Sequence, residues 1–266
     1  MIRKIKEQQH CEILNILRNS YIYNPYLYID AVSFGFSGKR IETYICYEKD
    51  EIVAIIYEYY NSLQICSLKE DIQVAQIVEF VKKGDFNMIS GNASIIKKLE
   101  VALKDFYVAH FGYIMMFPKN GELSQIGNSE MAQVEDCGEI ARLICSDEDI
   151  GGHYTQDILQ KQLEERMLCF GCKNVIIKEQ GEIIAHAATY ADCSEFAIIG
   201  GVITNPYFRG KGYGGNVVSY LTKQLLLDGK NPLLYCYDPK TVKWYEKNSW
   251  EICTQCGKLE RKRNAL

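Results

Sequence analysis

Hydrophobic and polar residues alternate along the chain with two periodicities, one typical of helices and one typical of strands. Apolar positions recur every three to four residues in 1–19 and 72–82, which predicts amphipathic helices. Between them, β-branched and aromatic runs at 41–47 and 52–59 flank a polar turn and predict a hairpin. The other elements predicted in this part are strands at 63–67, 86–90 and 113–117 and a helix at 93–106. Residues 1–120 therefore predict an α/β domain.

A polar, glycine-containing segment at 121–130 predicts a linker, and a second pattern of the same kind fills residues 131–266. Its predicted strands are 131–134, 174–178, 182–190, 195–204, 233–237 and 250–258, and its predicted helices are 137–145, 155–167, 216–227 and 239–247. We expect the last strand to close the sheet of this second domain. The chain as a whole thus predicts two tandem α/β (α+β) domains.

Composition and charge narrow the range of partners. The formal net charge is −4, which argues against nucleic acid and anionic membranes. No apolar run reaches the roughly 18 residues that span a bilayer. The N-terminal helix mixes lysine and glutamate with its apolar residues and does not resemble a signal peptide. Because eleven cysteines occur without an export signal, we expect reduced thiols and a cytoplasmic protein.

Two Cys-x-x-Cys pairs raise the alternative of a zinc site. They are Cys169–Cys172 and Cys253–Cys256, and four thiolates are a known zinc ligand set. The stretch between the pairs is far longer than in a zinc ribbon. We therefore expect no metal, and buried or half-buried free thiols at these positions.

One stretch, residues 202–215, carries the candidate chemistry. It reads Val-Ile-Thr-Asn-Pro-Tyr-Phe-Arg-Gly-Lys-Gly-Tyr-Gly-Gly and lies between a predicted strand and a predicted helix. Helix N-termini present unpaired N–H groups and a partial positive charge, and glycine lets a bulky anion approach them. Arg209 and Lys211 add full positive charges. This combination predicts a cradle for a pyrophosphate group.

A dinucleotide site is one interpretation of this cradle. Gly210-x-Gly212-x-x-Gly215 fits the dinucleotide fingerprint, and Asp238 follows where a ribose-binding acid is expected. That fingerprint requires the strand to run directly into the first glycine, whereas residues 205–209 intervene here. It also requires further βαβ units, and little chain follows Asp238. A glycine-rich turn that binds nothing would not need arginine, lysine and three glycines together.

The alternative reading is Arg209-x-x-Gly212-x-Gly214 after Val-x-Thr-x-Pro. This motif, with its strand and helix, resembles the acyl-CoA-binding motif of the GCN5-related N-acetyltransferases. The resemblance covers residues 131–266 and implies a mixed, mostly antiparallel twisted sheet flanked by helices. It implies acetyl-CoA as cosubstrate and no metal. The cofactor-binding residues that it implies are Val202, Ile203, Thr204, Arg209, Gly210, Lys211, Gly212, Tyr213 and Gly214.

The resemblance also implies catalytic residues. Tyr245 matches the family tyrosine that faces the CoA sulfur and protonates the thiolate, although Ser249-Trp250 replaces the Gly-Phe that usually follows. Glu195 opens the central strand, where the family often has a carboxylate that acts as base through water. A solvated strand-end glutamate is the alternative for Glu195. His186 is a second candidate base, and a satisfied core histidine is its alternative.

The implied activity is direct acetyl transfer from acetyl-CoA to a primary amine in a ternary complex. The acceptor would be a small molecule or a peptide, entering past the acidic loop of Asp147, Glu148 and Asp149, with His153 and Tyr154 beyond it, because an acidic entrance suits a cationic amine. A solvated loop is the alternative for these residues. A non-catalytic acyl-CoA sensor is the alternative. Residues 1–120 are similar in element order to a degenerate copy of the same fold, or form an unrelated accessory domain.

Overall fold

The computed structural model describes residues 1–152 and 154–262. Contacts divide the chain into two compact units. Unit 1 consists of Met1–Ile114, Cys236–Val242 and the chain from Ile252 onward, and unit 2 consists of Met115–Tyr235 and Lys243–Glu251. The last strand of the chain thus belongs to the unit that the first residues form.

The predicted helices and strands occur in the predicted order, with four further elements among them. The first are β1 (Ile2–Lys4), α1 (His10–Ser20), α2 (Pro25–Phe34), β2 (Ser37–Gly38), β3 (Ile41–Glu48), β4 (Glu51–Tyr59), β5 (Ser62–Ser67), α3 (Ala75–Lys83), β6 (Met88–Asn92), α4 (Ala93–Leu103) and β7 (Tyr107–Met116). They are followed by β8 (Glu130–Met131), α5 (Cys137–Cys145), α6 (Glu148–Gly151), α7 (Gln156–Phe170), β9 (Asn174–Glu179), β10 (Glu182–Asp192), β11 (Phe196–Thr204), α8 (Tyr213–Leu227), β12 (Asn231–Cys236), α9 (Pro239–Lys247) and β13 (Glu251–Arg261). The four further elements are β1, α2, β2 and α6, and the helix expected over 1–19 begins only at His10, because residues 2–4 form a strand. Together the elements confirm the predicted fold class, a mixed sheet flanked by helices.

In unit 1 the strands lie in the order β1-β3-β4-β5-β6-β13-β7. The β5–β6 pair is parallel, and the β3–β4 hairpin is antiparallel, as predicted. Helix α2 was not predicted. Pro25 begins it, the Asn24 side chain accepts the Leu27 N–H at 3.3 Å, and five residues of the helix are buried. Because nearly every face of α2 is apolar, its sequence lacks the amphipathic period that marks a helix.

The expectation that the last strand closes the second sheet is wrong. Strand β13 pairs antiparallel with β6, with Cys256 opposite Asn92 and Leu259 opposite Ile89. Leu259 is fully buried in the core of unit 1. An alternating strand fits the edge of either sheet, so the sequence could not specify which one it joins.

In unit 2 the strands lie in the order β12-β11-β10-β9-β8, and only β11–β12 is parallel among the pairs described. Helices α5 and α7 pack over one face of this sheet, in a core that includes Ile183 and Ile203. Thr204, next along β11, faces the other side and approaches the first turn of α8, where a Cβ on Gly214 would lie 3.2 Å from its hydroxyl. The sheet of unit 2 is thus covered on both faces, and its central strand leads directly into the glycine-rich loop.

Candidate functional site

The central strand of unit 2 separates from its parallel neighbour halfway along. The β11–β12 ladder runs from Phe196 opposite Asn231 to Ile199 opposite Leu234 and stops there. Residues 200–204 remain paired on the β10 side only. Asn205 N donates to Ile184 O at 2.8 Å, and strand alternation therefore turns the N–H and C=O of Thr204 away from β10. The result is a slot beside the strand edge, suited to an extended ligand that pairs like an added strand, with the Thr204 carbonyl already accepting from Arg209.

A β-bulge lies at the mouth of this slot. Ala188 is opposite Gly200 and His186 is opposite Ile203, so Gly201 and Val202 together face Ala187. Gly201 has φ +60°, which a residue with a side chain rarely adopts. A Cβ on Gly201 would also lie 2.8 Å from the Tyr190 hydroxyl. The bulge thus requires glycine both for its backbone and for the close approach of Tyr190.

His186 holds the bulge from within the sheet. Its ring is fully buried, with Nδ1 2.9 Å from Gly201 O and Nε2 2.9 Å from the side-chain oxygen of Asn174. Burial lowers the pKa of His186 to about 4, so the ring is neutral. Because the Gly201 carbonyl can only accept, Nδ1 carries the proton and donates to it. His186 is therefore a satisfied core histidine rather than a base.

The glycine loop ends in a helix N-terminus. Gly210 and Gly212 have φ values of +80° and +87°, and a Cβ on either would meet no heavy atom within 4 Å. Gly212 is the N-cap of α8, and Asn216 N makes the helical bond to Gly212 O at 3.0 Å. The N–H groups of residues 213–215 therefore precede the first helical bond, as at any helix N-terminus. Open space beside them is what a bulky anion needs.

Helix α8 begins three residues earlier than predicted, at Tyr213. Two glycines in its first turn allow close packing, since a Cβ on Gly215 would lie 3.6 Å from the Trp244 ring and one on Gly214 would approach Thr204. The Tyr213 hydroxyl donates to Glu179 at 3.0 Å, and this hydrogen bond raises the pKa of Tyr213. Glycine disfavours helix interiors, which is why the sequence suggested a later start.

The two cations of the glycine loop, Arg209 and Lys211, have different partners. Arg209 donates from Nε to Thr204 O at 3.1 Å and from its terminal nitrogen to Asp147 at 2.8 Å. Its side chain remains half exposed. Lys211 Nζ lies 5.1 Å from the centre of the Phe208 ring, a cation–π contact. Both positive charges therefore lie at the loop, and that of Arg209 is already balanced by a carboxylate.

The predicted strand residues flank the slot. Val202 belongs to the bulge, the Ile203 side chain is buried in the core under α5 and α7, and Thr204 directs its backbone into the slot. The predicted cofactor-binding residues are thus contiguous around one opening and one helix end. Their contact with a cofactor remains a prediction.

Tyr245 is buried, with only 5% of its surface exposed. Its ring makes edge contacts with Trp244, at 4.9 Å between centroids, and with Trp250, at 5.6 Å. Trp250 in turn packs on Phe117 at 5.6 Å. Tyr245 therefore belongs to an aromatic cluster, and its catalytic role remains a prediction.

Glu195 lies at the opposite end of β11 from the bulge. Ser194 donates to its carboxylate at 2.7 Å, and Asn231 N donates to its carbonyl at 3.0 Å. Six residues separate Glu195 from Gly201, which at strand spacing is about 20 Å. The structure does not bring Glu195 to the bulge, and its role as base remains a prediction.

The predicted acidic loop forms α6 and the turns around it. Asp147 accepts from Arg209 and also caps this turn through the Ile150 N–H at 3.2 Å, while Glu148 is exposed. His153 and the side chain of Asp149 lie outside the described residues. Tyr154 is 41% exposed. Asp147 is therefore paired with Arg209, while Glu148 stays exposed, and entry of a cationic acceptor past this loop remains a prediction.

Unit 1 has a slot of similar topology that is occupied by its own side chain. The parallel β5–β6 ladder ends at Ile65 opposite Gly91, and Asn92 then bonds the Ser67 backbone twice, accepting from N at 2.8 Å and donating to O at 3.1 Å. A cavity of about 710 Å³ lies beside it, lined in part by Lys69 and Lys98. Those lysines are paired with Glu51 and Asp71. The backbone that an extended ligand would pair with is thus already satisfied.

The remaining sequence-based expectations concern membranes, metals and thiols. Within residues 1–152 and 154–262, no helix is long and apolar enough to cross a membrane, and no group of three or more His, Cys, Asp and Glu side chains could hold a metal ion. Among the described residues, the cysteines of the two Cys-x-x-Cys pairs form no disulfide. Cys172 and Cys253 are half-buried and Cys256 is buried, as expected, but Cys169 is exposed. Cys169 lies on the exposed last turn of α7, where no strand covers it.

Two residues of this region were missed by sequence reasoning. Tyr190 lies over the bulge, and the Arg166 guanidinium lies 5.3 Å from the centre of its ring. The available signal was Gly200-Gly201 itself, because adjacent glycines in a strand indicate the close approach of a bulky neighbour. Only the strand register shows that the neighbour is Tyr190.

The sequence was compared with protein-family models, and the fold was compared with solved structures. Residues 178–247 match the family model described as FR47-like protein. The fold is similar to a GNAT-family acetyltransferase from Colwellia psychrerythraea, at 14% identity and a TM-score of 0.61 over 98% of this chain and 100% of the other. It is similar to a Drosophila protein at 12% identity and a TM-score of 0.67, over 99% of each chain.

A tandem GNAT protein from the clavulanic acid biosynthesis pathway is also similar, at 8% identity and a TM-score of 0.55 over 98% of both chains. No curated protein sequence matches the chain. Identities this low establish the fold alone, while the matched segment 178–247 contains the slot, the bulge and the glycine loop. The chain therefore has the fold of the GNAT acetyltransferases, and its segment 178–247 is similar to the FR47-like family model.

Proposed function

We propose that unit 2 transfers an acetyl group from acetyl-CoA to a primary amine by direct transfer in a ternary complex. The observation that carries this proposal is the slot where β11 leaves β12, directly beside a glycine loop at a helix N-terminus. The loop N–H groups of residues 209–214, with Arg209 and Lys211, would hold the pyrophosphate. The backbone of Val202 and Thr204 would pair with the pantetheine arm.

The chemistry needs few protein groups. The neutral amine attacks the thioester carbonyl carbon, a C–N bond forms, and the C–S bond breaks. The nitrogen loses a proton, and the departing thiolate gains one, for which Tyr245 is the candidate donor. The bulge would leave backbone groups beside the thioester to polarise its carbonyl. Glu195 is retained as a candidate base acting through water.

A non-catalytic acyl-CoA sensor is the second candidate. Two observations favour it: the Tyr245 ring is buried in an aromatic cluster, and Glu195 lies about 20 Å along the strand from the bulge. Such a protein would keep the cradle and the slot and would need neither residue.

One experiment separates the two candidates. Calorimetry should measure acetyl-CoA binding with one site per chain, because Asn92 occupies the slot of unit 1. A panel of primary amines with acetyl-CoA, followed by release of free thiol, then measures transfer. Binding with turnover supports the transferase, and tight binding without turnover across the panel supports the sensor. Absence of binding contradicts both.

A further inference from the structure

The face of the bulge that lies under α5 and α7 carries an aromatic ring and a cation. His186 and Ile203 are opposite each other on β10 and β11, and Ile203 belongs to the α5–α7 core, so this is the face on which His186 and Tyr190 lie over Gly201. Tyr190 is 37% exposed, so an edge of its ring is open to solvent. Tyr154 is close enough to contribute to the raised pKa of Tyr190, which burial chiefly causes.

Arg166 is the cation of this surface. It projects from the last turns of α7, and its guanidinium lies 5.3 Å from the centre of the Tyr190 ring. Among the residues that the structure describes, its side chain forms no ion pair. A guanidinium over an aromatic ring can still donate from its N–H groups, and these match a carboxylate with two parallel bonds.

Three other cations near this surface are already paired with carboxylates. Lys173 pairs with Asp228 at 3.2 Å, and Lys230 pairs with Asp192 at 2.5 Å. Arg209 on the cofactor side pairs with Asp147. Arg166 therefore contributes one unbalanced positive charge beside the bulge, which suits a ligand with a single negative charge.

From this arrangement we infer that the acceptor is an amine that also carries a carboxylate, an amino-acid-like substrate, and that Arg166 binds this carboxylate while the Tyr190 ring supports it. The inference rests on the proposed function for the identity of the site. It assigns Arg166 to specificity and not to the acetyl-transfer step. The acceptor is thus selected by its negative group, and not by the acidic loop.

The test compares amino acids with the matching amino-acid amides as acceptors. In the Arg166→Gln variant, KM for the amino acids should rise by about tenfold to a hundredfold with kcat nearly unchanged, because one charge-assisted pair is lost. KM for the amides should change less than twofold. Comparing each acceptor between variant and parent cancels the difference in amine pKa. Arg166→Lys should recover part of the loss, and Lys161→Gln, on the same helix, should have no effect.

Other results would overturn the inference. Equal losses for amino acids and amides in Arg166→Gln would show a structural role, and turnover of neutral amines only would exclude the carboxylate. If no amine is turned over, calorimetry of the CoA-loaded protein with amino acids tests carboxylate binding independently of acetyl transfer. Binding that Arg166→Gln abolishes would retain the inference while the transferase proposal fails, and absence of binding would overturn the inference itself.

Discussion

Asp147 lies 2.8 Å from the Arg209 guanidinium, so a carboxylate of the acidic loop is bonded to the arginine of the phosphate cradle. The same guanidinium donates to the Thr204 carbonyl at the edge of the slot. Residues 62 positions apart in the chain are thereby joined, which links the two sides of the proposed site. Asp147 of the acidic loop is thus a direct partner of the glycine loop.

We expect Asp147 to compete with the cofactor pyrophosphate for Arg209. Asp147→Asn should therefore tighten acetyl-CoA binding, by up to about fivefold, because exposed ion pairs contribute about 0–1 kcal/mol. Calorimetric titration measures the acetyl-CoA affinity at two salt concentrations, and the gain in affinity should be smaller at high salt. Glu139→Gln, which removes the exposed pair with Arg142 in the same unit, is the control. Weaker binding in Asp147→Asn would instead show that Asp147 holds Arg209 in its binding position.

Gly212 should be required for cofactor binding. Gly212→Glu places a carboxylate where the pyrophosphate is expected, and affinity for acetyl-CoA should fall at least tenfold through repulsion and lost hydrogen bonds. Gly229→Glu is a matched control, because Gly229 has φ +76° and equally open space at the other end of α8. Both variants carry the same backbone strain and the same charge. Equal affinities in a calorimetric titration would contradict the cradle assignment.

Tyr245→Phe tests the proposed acid. The variant keeps the ring and its contacts with Trp244 and Trp250 and removes only the hydroxyl. If the hydroxyl protonates the thiolate, kcat should fall by roughly tenfold to a thousandfold while KM for acetyl-CoA changes little. Steady-state kinetics with an accepted amine measures this, and thermal unfolding checks the fold. A kcat within twofold of the parent would remove Tyr245 from the mechanism.

His186 should make stability depend on pH. Its pKa is about 4 in the folded protein and 6.5 in the reference state, so the unfolded chain binds the proton first as pH falls. The free energy of unfolding is unaffected by the titration of His186 above pH 6.5. It declines toward pH 4 as the unfolded chain takes up the proton, by about 2 kcal/mol between pH 7 and pH 5. Urea unfolding at several pH values should show this decline in the parent and a smaller one in His186→Asn. Parallel pH profiles for the two proteins would mean that His186 does not remain neutral when folded.

The sequence by itself determined the strand, the glycine loop and the helix of residues 196–227. These features are local: β-branched residues favour a strand, positive φ angles require glycine at 210 and 212, and the apolar stripe of α8 recurs at helical spacing. Local hydrophobic periodicity likewise predicts the order of helices and strands, and this order indicates the fold class. Local signals failed where they were weak, as in the uniformly apolar α2 and the glycine-rich first turn of α8, and at residues 2–4, where pairing with β3 makes a strand of a segment with a helical pattern.

Tertiary structure alone decided which distant groups meet. Any alternating strand fits any open sheet edge, so only packing placed β13 beside β6 with Leu259 in the core of unit 1. The separation of β11 from β12, the position of Tyr190 over Gly201 and the approach of Arg166 depend on register and on crossing elements. Hydrophobic pattern specifies which face of an element is buried, whereas the partner of each exposed polar group depends on contacts between segments far apart in the chain, such as Arg209 with Asp147.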